Sequence, residues 1–468
     1  MPDERFEEHL CHPLGRGYVP EGAHTGAAGG APCGDLVTLS LAVTGGAVAD
    51  AGFDASGCGA ALAAGSAAVA LVRGRPLLEA ARVGTHDIAA ELGGLSAGKL
   101  HAAELAADAL HRALGAAARS DARAEPQADR VLVAMSGGVD SAVAALLCAR
   151  DGAEVAAVTL ELWRDPANDG ERSCCSADAV RGARALAHRM GIPHFTLDLR
   201  DEFRAGVVEP WLADHAAGLT PNPCVRCNGH VRLDAMLDFA ERLGAPALAT
   251  GHYARVTEDR LLRAAADPAK DQSYMLAALA PSTIARLRFP LGELAKPRVR
   301  EIAAEAGLPV AAKADSQDLC FLAGTGRAAF LARHGGLRDR PGDLVDGRGR
   351  RVGRHRGHHG FTVGQRRGLG VGGTDVPLYV LSTDAEANTV VVGPREELAT
   401  SEVALRDVRL HRAADAVDAV KLRYRSRALA CTLEGDVARL AEPVDGAAPG
   451  QAAVLLCGDV VVGCATIA

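Results

Sequence analysis

The stretch Val131-Leu-Val-Ala-Met-Ser-Gly-Gly-Val-Asp-Ser141, continued by Ala142 to Arg150, decides the fold of the larger part of the chain. Its apolar opening, with Val at alternate positions, predicts a buried strand; Ser136-Gly137-Gly138 predicts a tight turn; the Ala/Leu-rich run from Ser141 predicts a helix. A glycine turn between strand and helix leaves backbone N–H groups pointing outward at the positive end of the helix dipole, where phosphate oxygens accept them. Small residues let phosphates approach the main chain, the hydroxyls of Ser136 and Ser141 add donors, and Asp140 can hold a Mg²⁺ ion. No Lys follows the glycines, so this is not a Walker A loop.

Outward from this stretch, strands are predicted at 131–135, 155–160, 194–197 and 247–250, with helices between them, one at 176–190 stopped by Gly191. Such alternation marks a Rossmann-like parallel sheet with helices on both faces. Ligands bind at the carboxyl ends of its strands, where Ser136, the segment after Leu160, and Gly251-His252-Tyr253 fall. The run Ser-Gly-Gly-Val-Asp-Ser resembles the pyrophosphatase loop of enzymes that split ATP between its α and β phosphates. That resemblance implies ATP and Mg²⁺ at Ser136, Gly137, Gly138, Asp140 and Ser141, with Leu160, Gly251 and Lys270 completing the site. A plain glycine turn is the alternative. Cys174-Cys175, at the start of the 176–190 helix, read as packing or capping residues.

At 468 residues and 48% hydrophobic content, roughly three or four packed domains are expected. Aromatics at 3% leave little scope for a stacking-based nucleic-acid surface. No apolar run reaches spanning length and the N-terminus lacks a basic-then-apolar order, so the expected compartment is the cytoplasm, with no membrane partner. There the twelve cysteines would be reduced, and each is weighed for metal, catalysis or core. A net charge of -7 argues against general coating of nucleic acid, DNA included, but leaves room for a local basic patch.

Residues 1–125 read as a separate α+β domain closed by a polar linker at 118–126. Asp35 to Val43 alternates as a strand, Gly45-Gly46 makes a turn, a second strand returns over 47–53, and helices follow at 60–73 and 101–117. Ala31-Pro-Cys-Gly-Asp35, Gly57-Cys-Gly59 and Lys99-Leu-His101 resemble, in order, the motifs of iron–sulfur cluster scaffold proteins. The resemblance implies Cys33, Asp35, Cys58 and His101 as ligands of an Fe–S cluster or zinc. Ala102 stands where that family has a third cysteine, so a retained fold without assembly activity is the competing reading.

Thr220-Pro-Asn-Pro-Cys224-Val-Arg-Cys227-Asn228 places a C-x-x-C pair at a predicted helix start, with Arg226 favouring thiolate. Alone the pair is ambiguous among zinc, cluster, redox couple and chance. Cys320, in Asp315-Ser-Gln-Asp-Leu-Cys320-Phe321 after a predicted helix at 298–307 and a short strand, supplies a third thiol.

Residues 130–468 resemble the bacterial tRNA 2-thiouridylases through the loop at 136–141, Thr220 to Asn228, Ala249 to Tyr253, Lys270 to Tyr274, Phe289-Pro-Leu-Gly-Glu293, Ser316 to Phe321 and Gly364-Gln-Arg-Arg-Gly-Leu-Gly370. The resemblance implies that ATP adenylates O2 of the wobble uridine of tRNA and that sulfur borne at Cys320 displaces AMP, with Cys227 as resolving thiol. It further implies a sulfur donor, whether a cysteine desulfurase, a sulfur carrier or sulfide. Many members carry Asp where this chain has Cys224. The exchange makes a three-thiol set, Cys224, Cys227 and Cys320, able to hold a [4Fe-4S] cluster with one open iron. A Cys320 persulfide is the other route.

Arg338, Arg340, Arg348, Arg350, Arg351, Arg354, Arg356, Arg366 and Arg367, against Asp339, Asp343 and Asp346, form the basic patch that the net charge conceals. Lys270, Gln272, Gln365, Arg366, Arg367, Arg423 and Arg425 are the expected tRNA contacts. His358-His359 lack nearby cysteine and read as structural. Strands at 378–381, 389–392, 420–424, 452–457 and 460–464 predict a small β-barrel with Cys431, Cys457 and Cys464 in its core. The expected chain is a multidomain α/β protein: a scaffold-like domain at 1–125, an ATP pyrophosphatase domain at 126–322, a central tRNA-contacting domain at 323–385 and the barrel at 386–468. The rivals are another pyrophosphatase-loop ligase acting on a small molecule, and an iron–sulfur carrier with a vestigial ATP domain.

Overall fold

The computed structural model describes residues 4–29, 34–120, 123–164, 177–315, 319–322, 325–372 and 376–468. The chain divides into two compact units, one of Met1–Arg200, Ala235–His252 and Arg286–Gln317, the other of Asp201–Asp234, Tyr253–Ala285 and Asp318–Ala468.

The first unit begins with an antiparallel sheet of β1 (His24–Gly29), β2 (Leu36–Thr44) and β3 (Ala47–Ser56), in that order, with Gly45-Gly46 as the turn between the last two. The alanine-rich helices Gly59–Val72 and Leu100–Ser120 bury most of their length. Its second part is a parallel sheet of β4 (Arg130–Ala134), β5 (Glu154–Glu161), β6 (His194–Asp198) and β7 (Ala247–Thr250), with the short strand Leu287–Arg288 beyond β7. The central strand β4 is buried over four consecutive residues, as expected where both sheet faces are covered. Its neighbours are β5 on one side and β7 on the other, so the loop after β4 opens at the point where strand order reverses. The helix expected at 176–190 spans Ala177–Arg189, and Cys174-Cys175 lie outside the described residues.

The stretch at 118–126 is not a free linker. The helix Leu100–Ser120 runs through its first residues with Ala118 fully buried, Ala124 N–H donates to the Arg242 carbonyl at 2.9 Å, and Gln127 N–H to the Gly244 carbonyl at 2.9 Å. The same helix lies against β6. His111 Nδ1 is 2.7 Å from the His194 carbonyl, Arg112 meets Glu161 at 2.6 Å, and Asp108 takes Arg181 at 3.1 Å and the buried Arg184. The polar residues of the helix upstream, Asp108, His111 and Arg112, thus make ion pairs and hydrogen bonds across a packed seam, while Arg123 and Glu125 after it are exposed.

In the second unit, six antiparallel strands, Ala399–Leu410, Val437–Asp445, Leu429–Glu434, Ala419–Lys421, Ala452–Cys457 and Val460–Ile467, close into a barrel through pairing of the first with the last. Val403, Leu405, Val420, Leu440, Leu455 and Val462 fill it. Cys431 is buried in this core and Cys457 packs against it. The three strands at 399–410, 429–434 and 437–445 were not expected, because charged outward faces interrupt their apolar alternation. A separate four-stranded sheet has the order Arg351–His355, Gly342–Val345, Thr389–Gly393, Tyr379–Asp384. Thr389–Gly393 thus belongs here and not to a barrel beginning at 386, because Val390 and Val392 join Leu344 and Val380 in a core of their own.

Candidate functional site

Gly138 caps the helix Val139–Arg150, and Gly137 before it has φ +69°. Ser141 Oγ donates to the Gly138 carbonyl at 3.1 Å and accepts from Ser136 N–H at 3.2 Å, closing the turn on itself. Gly251, at the end of β7, supports it from the side. A Cβ there would stand 2.7 Å from Ser141 N and 2.8 Å from Asp140 C, so only glycine lets the backbones meet. Leu160 is buried near the end of β5.

Asp140, expected to hold Mg²⁺, is gripped by a residue that sequence reading did not single out. Lys296 Nζ lies 2.7 Å from both Asp140 oxygens and 2.9 Å from Asp315 Oδ1, and only 8% of Lys296 is exposed. Arg300 also meets Asp315, at 2.8 Å, and Lys313 Nζ donates to the Gly137 carbonyl at 2.9 Å. One signal was available: Lys296 opens the helix Lys296–Glu305, ahead of Pro297, where the dipole disfavours a cation unless anions face it. The helix therefore starts earlier than the 298 expected, and turns stand where a short strand before Asp315 was expected.

In the N-terminal part, Asp35, Cys58 and His101 bring one ligand atom each within 4.8 Å of the others, the one such trio of His, Cys, Asp or Glu among the described residues. Asp35, 2% exposed, accepts from Cys58 N–H at 2.9 Å and from Cys58 Sγ at 3.1 Å. Gly57, with φ +132°, makes this approach feasible: a Cβ would lie 2.0 Å from Asp35 Oδ1. His101 Nδ1 is 3.0 Å from the Gly98 carbonyl and Nε2 3.3 Å from Asp35 Oδ2. With Nδ1–H given to the carbonyl, Nε2 turns its lone pair to the point the carboxylate and thiol also face, the arrangement of a metal-ligating histidine. Sulfur, oxygen and nitrogen donors so placed fit zinc or an Fe–S centre. Cys33 lies outside the described residues, and Ala102 is fully buried.

In the second unit, Asn222 caps the helix Pro223–Cys227 by accepting from Cys224 N–H at 3.1 Å. Cys224 is half-buried and Cys227 buried. Arg226 Nε donates to the Gly206 carbonyl at 2.7 Å, holding this turn to the 204–211 helical segment. Phe321, next to the half-buried Cys320, packs its ring on Trp211 (5.3 Å) and Phe203 (5.8 Å) of the same region. The three sulfurs do not form a set within 4.8 Å, so they are not arranged as a single-ion site. A cavity of about 380 Å³ beside the turn is lined by Trp211, Asn222, Pro223, Arg226, Arg409 and Cys464. Cys464, expected in the barrel core, thus lines a cavity, and burial pushes its thiol up to about 11.

Lys270, Gln272, Arg423 and Arg425 all belong to this unit. Gln272 N–H donates to the Tyr253 carbonyl at 2.8 Å and its Oε1 accepts from Tyr253 N–H at 3.0 Å. Burial raises the Tyr424 phenol, and Arg425, Asp271, Lys270 and Cys224 all act on it electrostatically. Tyr424, which sequence reading did not put forward for the site, has the Arg425 guanidinium 5.8 Å from its ring centroid and the Tyr274 ring at 6.1 Å. Arg423 donates to the Gly446 carbonyl at 3.3 Å. Gln365 Nε2 donates to the Arg367 carbonyl at 2.9 Å, while Arg366 and Arg367 themselves are exposed. Of the other patch arginines, Arg350 pairs with Asp346 at 2.8 Å, and Arg354 and Arg356 reach Asp343 and Asp339 only at 3.8 and 3.9 Å. His358 bonds the Asn388 side chain and the Ala216 carbonyl, a structural role.

Four family models match in succession: the NifU-like N terminal domain over 3–123, the tRNA methyl transferase HUP domain over 129–324, the tRNA methyl transferase PRC-barrel domain over 328–394 and the aminomethyltransferase beta-barrel domain over 405–467. The "Bifunctional protein NifU/MnmA" of Rubrobacter xylanophilus is 44% identical over 98% of this chain and 97% of its own length. The "tRNA-specific 2-thiouridylase MnmA" of Zymomonas mobilis is 44% identical over 72% of this chain and 92% of its own, and that of Salinispora tropica 46% identical over 72% and 99%. No helix among the described residues is long and apolar enough to cross a membrane. With identity sustained across both the scaffold-like part and everything after it, the chain belongs to the bifunctional NifU/MnmA family.

Proposed function

We propose that the chain is an ATP-dependent tRNA sulfurtransferase that replaces O2 of the wobble uridine with sulfur. The observation that carries this reading is an intact phosphate loop, braced by Gly251 and ringed by Lys296 and Lys313, in a chain that also carries Cys227 and Cys320. Uracil O2 attacks the α-phosphorus of ATP, the bond to the bridging oxygen breaks, pyrophosphate leaves with Mg²⁺, and the N3 proton passes to water. O2 is then part of a good leaving group, and sulfur attack at C2 expels AMP. Ser136, Gly137, Gly138 and Ser141 cradle the phosphates, and amides fixed in advance stabilise the leaving charge without reorganising. The uridine is splayed from its stack to react. Lys270, Gln272, Gln365, Arg366, Arg367, Arg423 and Arg425 hold the RNA.

The three thiols fit a [4Fe-4S] cluster in kind, on two segments packed against one helical region. Held by Cys224, Cys227 and Cys320, such a cluster would supply an open iron for hydrosulfide. A second reading draws on the half-buried Cys320 against the buried Cys227. Here a donor loads Cys320 as persulfide, its terminal sulfur attacks C2, and the Cys227 thiolate then attacks Cys320 Sγ, leaving a Cys227–Cys320 disulfide and 2-thiouridine. In the NifU-like part Asp35, Cys58 and His101 would hold iron or zinc, with Cys33 the further ligand that the family resemblance implies.

Mass spectrometry of tRNA from anaerobic protein, ATP, Mg²⁺ and sulfide tests this. Thiouridine that vanishes with the iron supports the cluster; thiouridine that persists without iron, given a persulfide donor, supports the second reading. No product under either condition sinks the enzyme reading.

A further inference from the structure

We propose that Lys313 is a phosphate-binding residue of the loop, taking the part of the lysine that the loop sequence lacks. The proposal rests on the reading of the loop as an ATP site.

Five charged side chains gather there: Asp140 and Asp315 against Lys296, Arg300 and Lys313, so cations exceed carboxylates by one. Only one of these cations is placed to meet a phosphate. Lys296 is buried between two carboxylates, and an ammonium moving to a phosphate would break both of those pairs. Arg300 is committed to the chain that carries Lys313: Nη1 donates to the Ala311 carbonyl at 2.7 Å and the Lys313 carbonyl at 3.0 Å, and Nη2 to Asp315 at 2.8 Å. It clamps the segment on both sides of Lys313 and so fixes the base from which that side chain extends.

Lys313 is the exception. Its residue is exposed, it has no carboxylate within 4.0 Å among the described residues, and Nζ rests on a neutral acceptor, the Gly137 carbonyl. Gly137 is in the turn whose amides face an incoming phosphate, so an oxyanion seated on them stands next to Nζ. Exchanging a carbonyl for a phosphate oxygen turns a hydrogen bond with one charged partner into one with two.

The chemistry calls for a cation at this place. As uracil O2 bonds to the α-phosphorus, the electron pair of the broken bond goes to the bridging oxygen of pyrophosphate. Lys313 keeps its proton and donates N–H to that growing charge. It should therefore favour ATP and pyrophosphate over AMP.

The test is equilibrium binding of a fluorescent ATP analogue to the full-length chain with Mg²⁺, with unlabelled ATP, pyrophosphate and AMP as competitors. Lys313→Met should weaken ATP and pyrophosphate at least about tenfold and leave AMP within about twofold, with Lys313→Arg recovering part of the loss. A thermal melt of Lys313→Met confirms the fold, since the side chain is exposed. Equal ATP affinity in wild type and Lys313→Met overturns the proposal and leaves the ATP site standing, as does an equal loss for AMP. Failure of the wild-type chain to bind ATP removes the ATP reading itself, and this proposal with it.

Discussion

Two sites in the first unit are built with opposite electrical designs. At Asp35, Cys58 and His101 three electron-pair donors converge. At the loop, amides, a helix N-terminus, Lys296 and Lys313 surround a space that two carboxylates only partly neutralise. The first arrangement suits a cation and the second an anion. The difference also shows what a motif is worth once a residue is missing. The N-terminal centre has lost the cysteine expected at Ala102, yet Gly57 still holds Asp35 on Cys58. The loop has no lysine of its own, yet two arrive from a segment more than 150 residues away. Geometry is preserved by the residues that hold ligands in place: Gly57 inside its motif at one site, Lys296 and Lys313 outside the loop motif at the other.

The sharpest way to break the comparison is Gly251→Ala. Its Cβ would press on Ser141 N and Asp140 C, both backbone atoms that cannot move aside. We expect ATP affinity to fall roughly 10³-fold, the scale of losing several charge-assisted hydrogen bonds at once, with metal content at Cys58 unchanged. Binding of labelled ATP and metal analysis of the same sample check both halves. A loss of metal as well would mean the two sites are not independent.

Next in size is Lys296→Met. Removing the ammonium leaves Asp140 and Asp315 facing each other, with Arg300 on only one of them. Breaking a fully buried pair costs about 3–5 kcal/mol; Asp140 is 31% exposed at its side chain, and about 2–3 kcal/mol is expected. Urea unfolding reads this, and adding Asp140→Asn should restore part of it. No change in midpoint would remove Lys296 as the pin of the loop. At the other site, Gly57→Ala should lower metal affinity about tenfold, the cost of about 1.4 kcal/mol of strain, while ATP binding holds. Titration with Zn²⁺ against a competing chelator measures it, and unchanged affinity would mean Asp35 is not a ligand.

How much of this was legible in the sequence follows from the same contrast. Strand, turn and helix around Ser136 to Ser141 were readable because local pattern and local chemistry agree there. Lys296 and Lys313 were not, because their partners are distant in sequence and only the fold joins them. Lys270, also put forward as a phosphate partner, belongs to the second unit. The barrel was foreseen from its later strands, but Ala399–Leu410 was hidden by Arg406, Asp407 and Arg409 on its outer face. Asp407 has φ +55° at a register shift, which further disrupts the alternation. The polar stretch at 118–126 misled for the opposite reason: Arg123 and Glu125 are exposed as a linker's would be, but the backbone of Ala124 and Gln127 is hydrogen-bonded to Arg242 and Gly244.

The packed seam upstream of it joins the parts that carry the two sites, and it makes the smallest prediction. His111, His188 and His194 cluster where the helix Leu100–Ser120 meets β6, with ring centroids 5.2 to 6.4 Å apart. His111 faces carbonyl oxygens of Val83 and His194 with its two nitrogens, and a neutral ring fills one of these with a hydrogen bond. Burial, with Arg184 and the neighbouring histidines, holds His111 and His194 well below the usual range; burial brings His188 down to about 4, partly offset by its bond to the Ala81 carbonyl. Asp87 favours the proton on His188 and Arg82 opposes it, while Asp108 is taken by Arg181 and Arg184. All three rings are therefore neutral in the folded unit and take protons below about 6.5 once unfolded. The unfolded chain binds more protons, so the contribution is complete above pH 6.5 and is lost as pH falls toward 4. His188→Gln keeps a donor for the Ala81 carbonyl and removes one proton from the linkage. Between pH 6.5 and 4 its stability should fall less steeply than the wild type's, by up to about 1.4 kcal/mol per pH unit, in urea midpoints measured across that range. Parallel slopes would mean that His188 titrates normally in the folded chain and that the seam is open to water, in which case the two parts are free to separate.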